Sequence, residues 1–137
     1  MSERSFDADP ARLPELLAFL EDCAQAQRWP PAASLRVGLL AEELFLNSVL
    51  HGYAGARGRV RVVLLHQPGA IELTIEDQAP PFDPFAAAAP VSAGSDPRQR
   101  PVGRLGLALV QALCPERRYE RIGTTNRISV RLPVSPG

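Results

Sequence analysis

The chain contains no lysine: all fifteen of its basic side chains are arginine. With the abundance of alanine and proline, this reads as coding bias in the source. It still excludes chemistry that needs an ε-amine, such as a Schiff base or a P-loop phosphate lysine. Net charge is missing too, because fifteen acidic residues balance the fifteen arginines. No overall field therefore draws the chain to nucleic acid or to an anionic membrane. No apolar run approaches the length of a bilayer span, and the N-terminal MSERSFDADP lacks an apolar signal core. The expectation is a soluble cytoplasmic protein. Cysteine is scarce: Cys23 and Cys114 stand far apart inside apolar helical patterns. Two free, buried thiols fit that placement better than a disulfide, and no Cys or His pair has zinc spacing.

What is present is an ordinary globular composition, 45% hydrophobic and 22% charged over 137 residues. That length suits one domain, spanning 1–137, large enough to bury a core without covalent staples.

Periodicity divides the chain. A short strand is expected around Ser5 and Phe6. Leu13, Leu16, Leu17, Leu20, Cys23 and Ala24 recur at helical spacing over 11–28, with Asp9-Pro10 as the cap and Trp29-Pro30-Pro31 as the stop. A second helix is expected over 32–53, its apolar stripe drawn through Leu35, Leu39, Leu46 and Val49/Leu50, with Gly52 as its stop. Residues 59–65 and 70–76 alternate as two strands around a His66-Gln67-Pro68-Gly69 turn. Residues 78–102 are rich in Pro, Ala, Gly and Ser without period, which suggests a lid. A third helix over 103–113 and a hairpin of strands 119–122 and 128–132 complete the order. The fold class expected is α/β (α+β): a two-layer sandwich of a mixed, mostly antiparallel sheet covered on one face by helices.

Three segments could carry chemistry. Glu43, Asn47 and His51 lie four apart on the second helix and share a face beside the apolar stripe. A carboxylate one turn from an amide carbonyl can offer a base beside an oxygen ligand for magnesium. A lone helix Glu is more often a solvated residue, but Asn is a poor helix former and needs a reason inside an apolar run. His51 reads as structural. Asp77 ends an apolar strand before Gln78-Ala79-Pro80-Pro81-Phe82-Asp83-Pro84, where it could cap a turn or accept from a ligand amine. Gly103-Arg104-Leu105-Gly106-Leu107 opens the third helix, where free N–H groups and glycine favour phosphate. Arg98, Arg100 and Arg104, in or beside the lid, could reach a terminal phosphate.

Taken in order, Glu-x3-Asn-x3-His-Gly-Tyr, Asp-x-Ala-x-Pro-Phe-Asp-Pro and Gly-x2-Gly-Leu resemble the N, G1 and G2 boxes of the GHKL (Bergerat-fold) ATPase superfamily. The match looks most like its anti-sigma-factor serine/threonine kinase branch. The resemblance covers roughly 11–132, and the Gly123-Thr124-Thr125-Asn126 turn is similar to the family's last box. It implies ATP and Mg²⁺ as ligands. Asn47 would ligate the metal, Glu43 would serve as catalytic base, and Asp77 would accept from the adenine amine. Ala79 would adjoin the base; Gly103, Arg104, Leu105, Gly106 and Leu107 would surround the phosphates; Thr124 or Thr125 would help hold the nucleotide. Two positions depart from the pattern, since the family usually has glycine where Ala79 and Arg104 stand; both weigh against efficient turnover rather than against the fold. The implied partners are a sigma factor and a STAS-type anti-anti-sigma protein carrying the target serine, with no direct nucleic-acid or membrane contact. Family members often pair through an N-terminal strand that this short N-terminus leaves little room for, so the homodimer stays open. The alternative is a non-catalytic nucleotide- or partner-binding regulatory module of the same fold. A histidine kinase would need a phosphoacceptor helical hairpin ahead of this domain, and a gyrase- or chaperone-type ATPase a transducer after it.

Overall fold

The computed structural model describes residues 1–87, 112 and 116–134. Of the third helix expected over 103–113 only Ala112 is described, and it is helical; the lid residues beyond 87, the segment Gly103, Arg104, Leu105, Gly106 and Leu107, the lid arginines Arg98 and Arg100, and Cys114 all lie outside the described residues.

The chain opens as strand β1, Ser2–Asp7, longer than the two-residue core expected. Asp9 then accepts from the Ala11 N–H at 2.9 Å and caps a 3₁₀ turn, Pro10–Arg12, that feeds helix α1, Leu13–Gln27. Helix α1 ends where Arg28 turns left-handed at φ 55°, and Pro31 stands at the first position of helix α2, Pro31–Asn47. A hairpin comes next, of β2, Arg59–Gln67, and β3, Ala70–Asp77. One helical turn, α3, Pro84–Ala87, lies within the segment expected to be structureless. Strands β4, Arg117–Ile122, and β5, Thr125–Pro133, close the described chain, both longer than the sequence suggested.

The five strands form one sheet in the order β1-β2-β3-β5-β4. Every pairing among the described strands is antiparallel, so the mixed component expected is not found there. Strand alternation separates two faces. Phe6, Val60, Val62, Leu64, Leu73, Ile75, Ile128 and Val130 point to the helices and form the core with Leu16, Leu20, Val37, Leu40, Leu44 and Phe45. The other face is polar. There Glu76 stands between its register partners Arg61 and Arg127 and pairs with both, at 2.5 and 2.9 Å. Arg61 also reaches Glu3 on the edge strand. Helices on one face and a charged network on the other make an α+β sandwich.

The stripe expected on the second helix needs correction. Val49 of that stripe is buried and Leu46 packs against the core, but Leu35 is 65% exposed and Leu39 and Leu50 are exposed as well, whereas Ala33, Val37, Leu40, Ala41, Leu44 and Phe45 are buried. Both sets repeat at helical spacing; α1 and the sheet select the second. Cys23 is a buried free thiol, as expected.

Candidate functional site

The site lies where α2 ends over the end of β3. Helix α2 does not run to residue 53 as one regular helix. It changes at Ser48–Gly52 to a wider π turn, an irregularity frequent at functional sites. The extra residue in the turn rotates the side chains beyond it. His51 is exposed and stacks on Phe82, with ring centroids 6.3 Å apart, instead of continuing the Glu43–Asn47 row. Ser48, still in phase with the buried Val37, Ala41 and Leu44, points inward, and its Oγ donates to Asp77 Oδ2 at 2.5 Å.

Asp77 is 4% exposed and held from three sides. Besides Ser48, the Asn126 side-chain amide donates to Oδ1 at 2.8 Å and the Ala79 N–H donates to Oδ1 at 3.1 Å. Three donors fix the plane of the carboxylate. Asn126 is positioned in turn. Its carbonyl accepts from Tyr119 at 2.5 Å and from Arg121 at 3.1 Å, and its amide also reaches the backbone oxygens of Ala79 and Pro80.

The helical segment ends at Gly52, as expected, and the glycine matters here as space too. A Cβ on it would lie 3.7 Å from Asp77 Oδ2 and 3.4 Å from the Ala79 Cβ, so glycine keeps the carboxylate approachable from the helix side. Ala79 is buried in the core cluster and lines this approach with a methyl group. Tyr53 fastens the surroundings: its hydroxyl donates to the Arg59 carbonyl at 2.7 Å and accepts from the Gln78 N–H at 2.8 Å. Gly58 is the glycine this crossing requires, since a Cβ there would sit 2.2 Å from the Tyr53 ring.

Immediately before Ser48, Asn47 is 3% exposed and its amide donates to the Glu43 carbonyl at 2.7 Å. That bond ties the nitrogen end and leaves Oδ1 without a hydrogen-bond partner among the described residues. A single free amide oxygen, with no cluster of three His, Cys, Asp or Glu among the described residues, fits a magnesium ion held mostly by phosphate and water. It does not fit a metal held by protein alone. Burial, with the Glu42 charge beside it, raises the Glu43 carboxyl above the ordinary carboxylate range. A raised pKa suits a general base.

Thr124 and Thr125 sit at the β4–β5 turn, where each hydroxyl pairs with the Gln78 side-chain amide at 2.7 Å. The structure thus brings Asp77, Ala79, Thr124 and Thr125 together around the end of β3, with Glu43 and Asn47 on the helix above. Sequence reasoning missed Ser48 and Asn126. Both were inside the quoted motifs: Ser48 continues the buried spacing of Val37, Ala41 and Leu44, and Asn126 is placed by its register opposite Asp77.

A helical layer ending in a carboxylate and amide, set over a strand that ends in a clamped aspartate, defines a nucleotide-binding ATPase module of the GHKL type. A family model for the histidine kinase-like ATPase domain matches residues 6–132, and the chain belongs to that family. No curated protein matches the chain. Among the described residues, no helix is long and apolar enough to cross a membrane.

Proposed function

We propose that the chain binds Mg·ATP and phosphorylates a serine on a STAS-type anti-anti-sigma protein, while holding a sigma factor as its second partner. The observation that carries the reading is the pairing of a free Asn47 Oδ1 with a Glu43 carboxyl of raised pKa one turn away. Asn47 would hold the magnesium, which supplies charge neutralisation at the phosphates. Asp77 would accept from the adenine amine in the space that Gly52 leaves open. In transfer, the serine Oγ forms the bond to the γ-phosphorus and the bond to the bridging oxygen breaks with its electrons leaving on ADP. The serine proton passes to the Glu43 carboxylate. Little else is asked of the protein, because phosphoryl transfer depends on positioning and charge.

Magnesium-dependent ATP affinity by calorimetry, followed by label transfer from γ-labelled ATP to a STAS protein, tests the reading. Absence of ATP binding would remove it. Binding without transfer would favour a regulatory module that acts by contact, a reading supported by the buried methyl of Ala79 in the adenine approach.

A further inference from the structure

Away from this site, the outer surface between α1 and α2 carries a groove of about 620 Å³. Three of the large apolar side chains left in solvent, Leu17, Leu35 and Leu39, stand along it. The short connection makes the two helices antiparallel neighbours. From Pro31 to Glu42 the groove runs about 16 Å, room for roughly three helical turns.

Two residues of the groove are not the ones stability would select. Gly38 sits inside α2, where glycine costs about 1 kcal/mol relative to alanine. No close packing requires it, since a Cβ there would meet nothing within 4 Å. Arg28 occupies the left-handed cap of α1 at φ 55°, where glycine avoids the steric penalty. Departures of this kind collect at functional positions. Gly38 leaves the wall low, and Arg28 places a cation at the hairpin end. Glu21 and Glu42 place carboxylates further along, and none of these three charged residues forms a salt bridge among the described residues.

We infer that this groove docks an amphipathic helix of a partner protein. The occupant presents apolar anchors at i, i+4 and i+7 to the leucines, a basic residue to Glu21 and Glu42, and an acidic one to Arg28. The polarity is chosen by charge: carboxylates in one half and a guanidinium at the other end match a helix of opposite sense. None of the residues assigned to the nucleotide site lines the groove, although Glu42 adjoins Glu43 and its charge acts on that carboxyl.

Trp29 is the only tryptophan and lines the groove, so its emission reports occupancy directly. The probe is a capped helical peptide of about 14 residues with leucines at that spacing, an arginine beside the first and a glutamate after the last. The expected result is a saturable shift in Trp29 emission, weakened by added salt. Leu35→Asp, at an exposed position, should weaken binding about tenfold or more. Gly38→Leu should block binding while raising the melting temperature, which separates a filled groove from a damaged fold. No emission shift, or wild-type binding by both Gly38→Leu and Leu35→Asp, would overturn the inference. So would a concentration-dependent dimer abolished by Leu35→Asp, since a second copy would then be the occupant.

Discussion

Ser48 and Asp77, 29 positions apart, meet through a buried hydrogen bond of 2.5 Å that joins the π turn of the helix to the end of the central strand. The contact couples the two halves of the candidate site. Removing the hydroxyl leaves the carboxylate with the Asn126 amide and the Ala79 N–H as its remaining donors. A buried hydrogen bond to a charged group contributes about 1.5–3 kcal/mol. Ser48→Ala should therefore lower unfolding free energy by that amount in urea titration and also weaken ATP binding. Wild-type stability with unchanged affinity would show that the contact is dispensable.

Gly52→Ala tests the space in front of Asp77. The new methyl would make ordinary contacts with the Ala79 Cβ and the Asp77 carboxylate, at 3.4 and 3.7 Å, so the fold should tolerate it. A ligand amine approaching the same oxygen would not. We expect a melting temperature near wild type and ATP affinity reduced about tenfold, a loss of about 1.4 kcal/mol. Retained affinity would place the adenine elsewhere.

Glu43 makes a prediction in which activity and stability move apart. Burial and Glu42 raise its pKa, so the folded state holds the proton more tightly than the unfolded chain. Stability from this group is present at low pH and declines as pH rises through the interval between the two values. Glu43→Gln removes the ionisable group. It should gain stability near neutral pH relative to wild type and little near pH 3. In transfer assays the same variant should bind Mg·ATP and lose serine phosphorylation. Wild-type activity should fall on the acid side at a pH above the ordinary carboxylate value. Normal transfer by Glu43→Gln would sink the base assignment.

Asn47→Asp separates metal ligation from helix structure. It keeps an oxygen for magnesium but replaces the amide donor, so a carboxylate oxygen would face the Glu43 carbonyl that the amide now satisfies at 2.7 Å. The variant should lose stability by about 1–3 kcal/mol. Asn47→Ala should lose the magnesium dependence of ATP binding, measured by calorimetry with and without the metal. Equal magnesium dependence in Asn47→Ala and wild type would move the ligand role to another residue.

Most elements of the fold were legible because their patterns are local. Val60, Val62 and Leu64 alternate, and the α1 leucines repeat at helical spacing. The face of α2 was not legible. Leu35 and Leu39 repeat as regularly as Val37, Leu40 and Leu44, and only docking against α1 and the sheet decides which set is covered. Part of the site was legible for the same reason: Glu43 and Asn47 are one turn apart on one helix. The clamp on Asp77 was legible only in part: its Ala79 donor is a local turn cap, but Ser48 and Asn126 lie 29 and 49 positions away. No windowed pattern reports either.

Glu76 carries the opposite pH dependence to Glu43. Burial pushes its carboxyl up, but hydrogen bonds from Arg127 and Arg61, together with their charges, outweigh this and hold its pKa below the ordinary value. A carboxyl depressed in the folded state adds stability above its unfolded pKa, and loses it as pH falls toward the folded value. The window therefore lies on the acid side of the ordinary carboxylate range. Glu76→Gln would leave two arginines facing a neutral amide on the polar sheet face. Both arginine side chains are more than 40% exposed and screened by water, so the expected loss at neutral pH is modest, about 1–2 kcal/mol. Near pH 3 the two proteins should converge, because wild type has begun to take up the proton. Unfolding free energies measured in urea at both pH values check this, and a difference that stays constant between them would show that packing rather than charge carries the effect.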